Sequence, residues 1–215
     1  VSPKSEKATI LARPARVLLD CDGVMADFMG AVKPVIRDLI GRDLTDQDMP
    51  TWDLFEAPVI KPHAAALRAA VDQPGFCRNF VILPGAKAGV QALRDLGAEV
   101  VCVTSPWPSS RTWAHDRMAW LEEHFGFTTK TVDQSSGKYR IDGDVFVDDH
   151  ANNVVTWLNW DKRRHHAAVL WAQPYNTKDW ARLTGTHSLR GHNVLRHKSW
   201  WRLALFVKRK AYVCP

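Results

Sequence analysis

Asp20 and Asp22 stand two positions apart, and Gly23 follows them. Two carboxylates this close offer one group to attack an electrophile and another to move a proton. An Asp-x-Asp-Gly turn is common on protein surfaces. Calcium loops use Asp-x-Asp too, but this stretch lacks their further acids and closing Glu. The pair gains weight from residues further along: Thr104 and Ser105, Lys138, and the adjacent Asp148 and Asp149. Acids, hydroxyls and one lysine suit phosphoryl transfer to an aspartate. A carboxylate nucleophile forms an acyl phosphate. Mg²⁺, a hard cation that takes a few carboxylates, offsets the repulsion between anionic nucleophile and anionic substrate. A lysine and a hydroxyl donor stabilise the group in transfer.

These groups act together only if the fold brings them to one place. Val17-Leu18-Leu19 leads into Asp20 as a short apolar run, the pattern of a buried strand over about 15–20. Glu99 to Thr104 reads as a second strand, Phe127 to Val132 as a third, Asp144 to Val147 as a fourth and Ala167 to Trp171 as a fifth. Helical spacing places helices over Phe28 to Ile40, His63 to Val71, Ala86 to Leu96, Arg111 to Phe125 and Asn152 to Trp160. Pro34 lies inside the first of these, where a kink or break is expected. In Arg111 to Phe125 the apolar face is read as Ala114, Met118, Leu121 and Phe125. Alternating strands and helices imply an α/β fold, a Rossmann-like parallel sheet with helices on both faces. The chemically active residues then fall at the carboxyl ends of strands or in their approach loops, along one edge of the sheet. Residues 28–80 contain helices but no convincing strand, and read as a small helical cap inserted after the first strand. The expected division is a core of 14–27 and 81–172, the cap at 28–80, and a basic C-terminal segment at 173–215 packing on or extending from the core. Within that segment, Ser199 to Val207 reads equally as helix or strand.

The chain has 215 residues and a net charge of +6. From Asp161 onward there are 12 Lys+Arg against 2 Asp+Glu, so the basic excess belongs to the C-terminal quarter. A solvated basic face explains it slightly better than attraction to a polyanion. No apolar run approaches the roughly 18 residues that span a bilayer, and residues 1–16 lack the apolar core of a secretory signal. Cys21, Cys77, Cys102 and Cys214 lack metal-type spacing, so they read as reduced thiols of a cytoplasmic protein. The His165-His166 pair reads as surface. A homodimer is compatible with the sequence and not required by it.

Four segments together resemble the haloacid dehalogenase superfamily: Asp20-Cys21-Asp22-Gly23-Val24, Val101-Cys102-Val103-Thr104-Ser105, Lys138, and Gly143 to Asp149. Within it the chain resembles the 5′(3′)-deoxyribonucleotidases. Asp22-Gly23-Val24-Met25-Ala26-Asp27-Phe28, Gly75 to Ala86, Thr104-Ser105-Pro106 and Trp120-Leu121 carry that likeness, which spans about residues 15–172. Cys77 stands where that family has an aromatic residue, and Gln134 to Gly137 lack its usual Arg/Asp lead-in to the lysine. The resemblance implies a Mg²⁺-dependent phosphatase of (deoxy)nucleoside 5′-monophosphates. In it Asp20 attacks phosphorus and binds the metal. Asp22 protonates the leaving 5′-oxygen, then takes a proton from water, and its backbone carbonyl joins the metal site. Asp148 completes that site, Asp149 supports it, and Thr104, Ser105 and Lys138 hold the phosphate. The proton-transfer role calls for a raised pKa at Asp22, which a nearby like charge and a closed cap could supply. Phe28, Trp52 and Phe76 are candidates to stack on the base. The alternatives are a phosphatase of sugar phosphates or polynucleotide ends, for which the basic tail speaks, and a non-catalytic nucleic-acid or partner-binding module on the same fold.

Overall fold

The computed structural model describes residues 14–49, 52–160, 167–184 and 192–211. Six strands form a single sheet: β1 (Arg16–Leu19), β2 (Glu99–Thr104), β3 (Val132–Gln134), β4 (Val145–Asp148), β5 (Ala167–Trp171) and β6 (Asn193–His197). Their spatial order is β3-β2-β1-β4-β5-β6 and every pairing is parallel. Side chains alternate along each strand, and both faces are covered. Val17, Leu19, Cys102, Val145, Val147 and Val169 enter one core; Leu18, Val101, Val103, Phe146, Ala168 and Leu170 enter the other. That is why these strands read as continuous apolar runs.

Among the described residues seven helices accompany the sheet: α1 (Phe28–Ile40), α2 (Ala64–Val71), α3 (Ala86–Asp95), α4 (Trp113–Phe125), α5 (Ala151–Trp160), α6 (Thr177–Thr184) and α7 (Trp200–Ala211). Asp27 caps α1 by accepting from the Gly30 amide at 2.7 Å, and Gly41 ends it at φ +74°. Pro34 lies on the exposed face of α1, and the helix runs through it. Between α1 and α2 the Asp- and Pro-rich stretch forms single 3₁₀ turns at Asp46–Asp48, Leu54–Glu56 and Lys61–His63. The two passages that join residues 28–80 to the sheet run side by side. The Asp27 amide donates to Val81 O and the Leu83 amide to Met25 O, each at 2.8 Å.

Two expectations need correction and one open reading is resolved. The strand read over Phe127–Val132 begins only at Val132. Thr128–Thr131 forms a turn closed by the Thr131 amide on Thr128 O and the Thr128 amide on Thr131 Oγ1, both 2.8 Å, while Phe127 is buried under Arg94. The buried face of α4 is Trp113, Arg117, Trp120, Leu121 and Phe125, with Ala114 exposed. Leu121 and Phe125 face the core as read, but an arginine on that face put Ala114 and Met118 one position out of phase with Trp113 and Arg117. Ser199–Val207, open between helix and strand, is helical from Trp200 on and belongs to α7, whose Leu203 and Val207 are buried. Gly89 of α3 leaves room for the Trp200 indole, since a Cβ there would collide with the ring. The sixth strand, β6, had no sequence expectation. The His165-His166 pair and the N-terminal residues 1–13 lie outside the described residues.

Candidate active site

The strand order reverses between β1 and β4, and the carboxyl ends of these two central strands carry the acids. Asp20 follows β1 directly, and its amide donates to Val147 O at 2.8 Å. Asp148 ends β4 and Asp149 follows. All three side chains are buried, and oxygens of Asp20, Asp148 and Asp149 lie within 4.8 Å of one another. Lys138 reaches the same place from the 3₁₀ turn Lys138–Arg140. Its Nζ is 2.7 Å from Asp20 Oδ1 and 2.9 Å from Asp148 Oδ2. Asp148 also accepts from the His150 amide at 2.7 Å and from Asn153 Nδ2 at 3.0 Å.

The electrostatics follow from three acids sharing one buried ammonium. Burial first, then Asp148, hold the Asp20 carboxyl well above the ordinary range in spite of Lys138. Burial and Asp148 push Asp149 up to about 7. Burial works against the Lys138 charge, but Asp148 and Asp20 more than offset it and raise the group. The cluster thus has more negative charge than it can balance and offers only hard oxygen donors. This donor set fits a hard divalent cation, held by Asp20, Asp148 and Asp149.

The acids open onto a cavity of about 440 Å³. Asp20, Asp22, Thr104, Ser105, Lys138 and Asp149 line it, together with the rings of Phe28, Trp52, Phe55 and Trp107. Thr104 Oγ1 is buried and has no hydrogen-bond partner among the described residues. An orphaned hydroxyl beside a lysine is suited to an anionic oxygen. Phe76 is not among the lining residues. It packs edge-on against Phe80 at 5.6 Å, beside the core. Helical spacing could not separate a ring facing the cavity from one facing the core.

The family model described as "5' nucleotidase, deoxy (Pyrimidine), cytosolic type C protein" matches residues 13–201. The chain belongs to this family. Relatives include the mitochondrial 5′(3′)-deoxyribonucleotidase of Mus musculus, 29% identical over 68% of this chain and 69% of the relative. The cytosolic-type 5′(3′)-deoxyribonucleotidase of Homo sapiens is 28% identical over 65% of this chain and 72% of the relative. A HAD family hydrolase from Deinococcus radiodurans, solved with bound phosphate and sodium, shares the fold with TM-score 0.55 at 14% identity. The match covers 95% of this chain and all (100%) of that one. The protein is therefore a phosphoric monoester hydrolase on a haloacid dehalogenase fold.

In this nucleotidase several site residues had escaped the sequence reading. Arg117 of α4 is fully buried, and its Nη2 lies 2.6 and 2.8 Å from the two Asp22 carboxylate oxygens. Asp149 is a like charge near Asp22, as expected, but the structure also puts a guanidinium against Asp22, which the sequence reading did not foresee. The Asp22 carboxylate faces Arg117 and stands apart from the Asp20, Asp148 and Asp149 group. An arginine on an apolar helix face was the available signal. Tyr175, from the loop after β5, donates to Asp149 Oδ2. Gln173 of the same loop donates to Gly23 O at 2.6 Å. His150 stacks on Trp52 with centroids 4.0 Å apart, and Trp107 Nε1 donates to Asp72 Oδ1 at 2.7 Å. These contacts join residues up to 150 positions apart, so no local pattern announces them.

Gly23 sits at φ +73°, and a Cβ there would run into Asp149 Oδ2 and lie 2.8 Å from Tyr175 Oη. Gly23→Ala is expected to cost about 1–3 kcal/mol of stability from backbone strain alone. By displacing Asp149 it should also weaken divalent-cation binding by roughly tenfold or more. Denaturant melts and calorimetric titration with Mg²⁺ measure the two effects. Wild-type values in both would remove the close approach of Gly23 as a design requirement.

Proposed function

We propose that the protein hydrolyses deoxynucleoside 5′-monophosphates in a Mg²⁺-dependent reaction through an aspartyl phosphate on Asp20. The observation that carries this reading is one cavity lined both by Asp20, Thr104 and Lys138 and by the rings of Phe28, Phe55 and Trp107. A phosphate and an aromatic base are thereby served in one enclosure. The family and the named relatives give the same substrate class.

The residues act as follows. An Asp20 carboxylate oxygen attacks phosphorus as the bond to the 5′-oxygen breaks, and Asp22 gives its proton to the departing alkoxide. A water then attacks the acyl phosphate, passes a proton to Asp22 and releases Asp20 with inorganic phosphate. Lys138 and Thr104 Oγ1 bind the phosphoryl oxygens and are already in place before charge develops. Phe28 and Trp52 bear on the nucleoside, with Ser105 at the phosphate end. Mg²⁺ held by Asp20, Asp148 and Asp149 supplies neutralisation of the phosphoryl charge. Residues 28–80 act as a cap that closes the cavity over the substrate and excludes water. β6 completes the sheet on the side of β5, and from the loop that follows β5 Gln173 and Tyr175 reach Gly23 and Asp149.

A panel of phosphomonoesters assayed with Mg²⁺ tests the substrate. Deoxynucleoside 5′-monophosphates are expected to outrun sugar phosphates and 5′-phosphorylated oligonucleotides. A preference for the oligonucleotide would assign the basic C-terminal quarter to polynucleotide binding. Among the described residues no helix is long and apolar enough to cross a membrane. Among the described residues Cys21, Cys77 and Cys102 are free, buried thiols.

Metal binding carries its own pH dependence. Asp149 titrates near 7 in the metal-free fold, above an ordinary aspartate. A raised carboxyl favours the metal-free fold at low pH, and that advantage is lost as pH rises through about 7. The cation competes with the same proton, so Mg²⁺ should stabilise the protein more at pH 8 than at pH 5. At a hundredfold excess over its dissociation constant the gain is about 2.7 kcal/mol. Thermal melts at both pH values read it. An equal gain at pH 5 would remove the carboxylate cluster as the metal site.

A further inference from the structure

Arg117 is an unusual component of a helix face otherwise made of Trp113, Trp120, Leu121 and Phe125. Its guanidinium lies 5.1 Å from the centroids of Phe80 and Trp113 and 5.9 Å from that of Trp120. Nη2 is shared by both oxygens of Asp22, Nη1 lies 3.0 Å from Cys21 Sγ, and Nε has no hydrogen-bond partner among the described residues. Stability does not account for an arginine there. Burying a guanidinium is expensive, and an apolar side chain of similar length would fill the same space at no such cost. The Asp22 side chain is different: it is 29% exposed and lines the cavity. Its carboxylate therefore has the guanidinium on one side and the reaction space on the other.

We infer that Arg117 is a positioning residue that fixes the Asp22 carboxyl where it meets the leaving oxygen. This rests on the phosphatase reading above, with Asp22 as the proton donor. An aspartate in a turn after a strand has free side-chain torsions, and a proton donor misplaced by about 1 Å loses on the order of a hundredfold in rate. The fork contact removes that freedom. The Nη1 contact to Cys21 Sγ holds the preceding residue as well. Nothing in this role touches the substrate.

The role predicts a loss that depends on the leaving group. A nucleoside 5′-alkoxide cannot depart without a proton, whereas p-nitrophenolate can. With Mg²⁺ present, Arg117→Met should lower kcat for a deoxynucleoside 5′-monophosphate by about a hundredfold, within the usual range of general acid catalysis. On p-nitrophenyl phosphate kcat should stay within about threefold of wild type. Arg117→Lys should recover part of the loss. Asp22→Asn combined with Arg117→Met should be no slower on the nucleotide than Asp22→Asn alone, because the two residues act as one unit. Equal losses on both esters, or multiplicative losses in the double variant, would overturn the inference. If Arg117→Met does not fold, as read by circular dichroism, Arg117→Lys carries the same comparison: selective loss on the nucleotide supports the role and equal loss overturns it. Wild-type protein that cleaves neither ester sinks the phosphatase reading itself. Wild type that cleaves both, with no selectivity in the variants, sinks only Arg117.

Discussion

Asp20→Asn is expected to lower turnover of a deoxynucleoside 5′-monophosphate by roughly 10⁴-fold or more, the scale on which removal of a nucleophile acts. An amide is nearly isosteric with the carboxylate but forms no acyl phosphate. The fold should survive the change. In the metal-free protein the carboxyl is held above its ordinary range by burial and by Asp148, so its charge is a burden there. An uncharged amide relieves that burden, and thermal melts without metal should show no loss of stability. Rapid-quench assays of the wild type should trap phosphate on Asp20, and the variant should trap none. Near-wild-type turnover by Asp20→Asn would falsify the mechanism. Asp22→Asn provides the contrast. It keeps the nucleophile, so it should still phosphorylate Asp20 slowly, and its defect should shrink when the leaving group needs no proton.

The second large effect belongs to Lys138. Its ammonium lies between Asp20 and Asp148, at 2.7 and 2.9 Å, with almost no exposure. Lys138→Met fills similar space but leaves two buried carboxylates unbalanced. Breaking a buried pair in this way costs about 3–5 kcal/mol. A lysine whose ionisation is raised by its partners contributes that stability in full below the ordinary lysine range, and loses it only as pH rises beyond the raised value. The cost should therefore be complete at neutral pH. Turnover should fall by about 10²–10³-fold, as for other preorganised charge donors. Mg²⁺ should restore more stability to the variant than to the wild type, because the cation then supplies the only positive charge in the cluster. A variant that melts with the wild type, or keeps turnover within tenfold, would mean that the ammonium bears neither the structural nor the catalytic load. The two variants pull stability in opposite directions although both strike one ion pair. That opposition separates a site built on excess negative charge from an ordinary salt bridge.

The sequence by itself determined the parallel sheet and the identity of the acids. Runs such as Val17-Leu18-Leu19 and Val100 to Val103 are apolar at every position because both faces of the sheet are covered. A run of that kind can only be central, so the Asp, Thr or Asp-Asp at its end falls on the ligand-binding edge. Lys138 and the four segments in their order were legible for the same reason: each is tied to a strand end. Tertiary structure alone decided the rest. Whether Phe28 or Phe76 lines the cavity is decided by packing, not by spacing along the chain: both rings meet Phe80, and Phe28 also reaches Trp107 at the cavity wall. Arg117 was hidden because a charged residue usually marks the solvent face of a helix, which also shifted the reading of α4. Tyr175 and Gln173 reach the nucleophile turn from a segment with no recognisable signal, since β6 and the Arg196 contact to Gln173 O, 3.0 Å, hold that loop in place. Strand ends are fixed by local apolar pattern, but the partners of a buried charge are chosen by whichever distant element fills the space beside it. Desolvation makes that choice energetically decisive, and it leaves no periodic trace in the sequence.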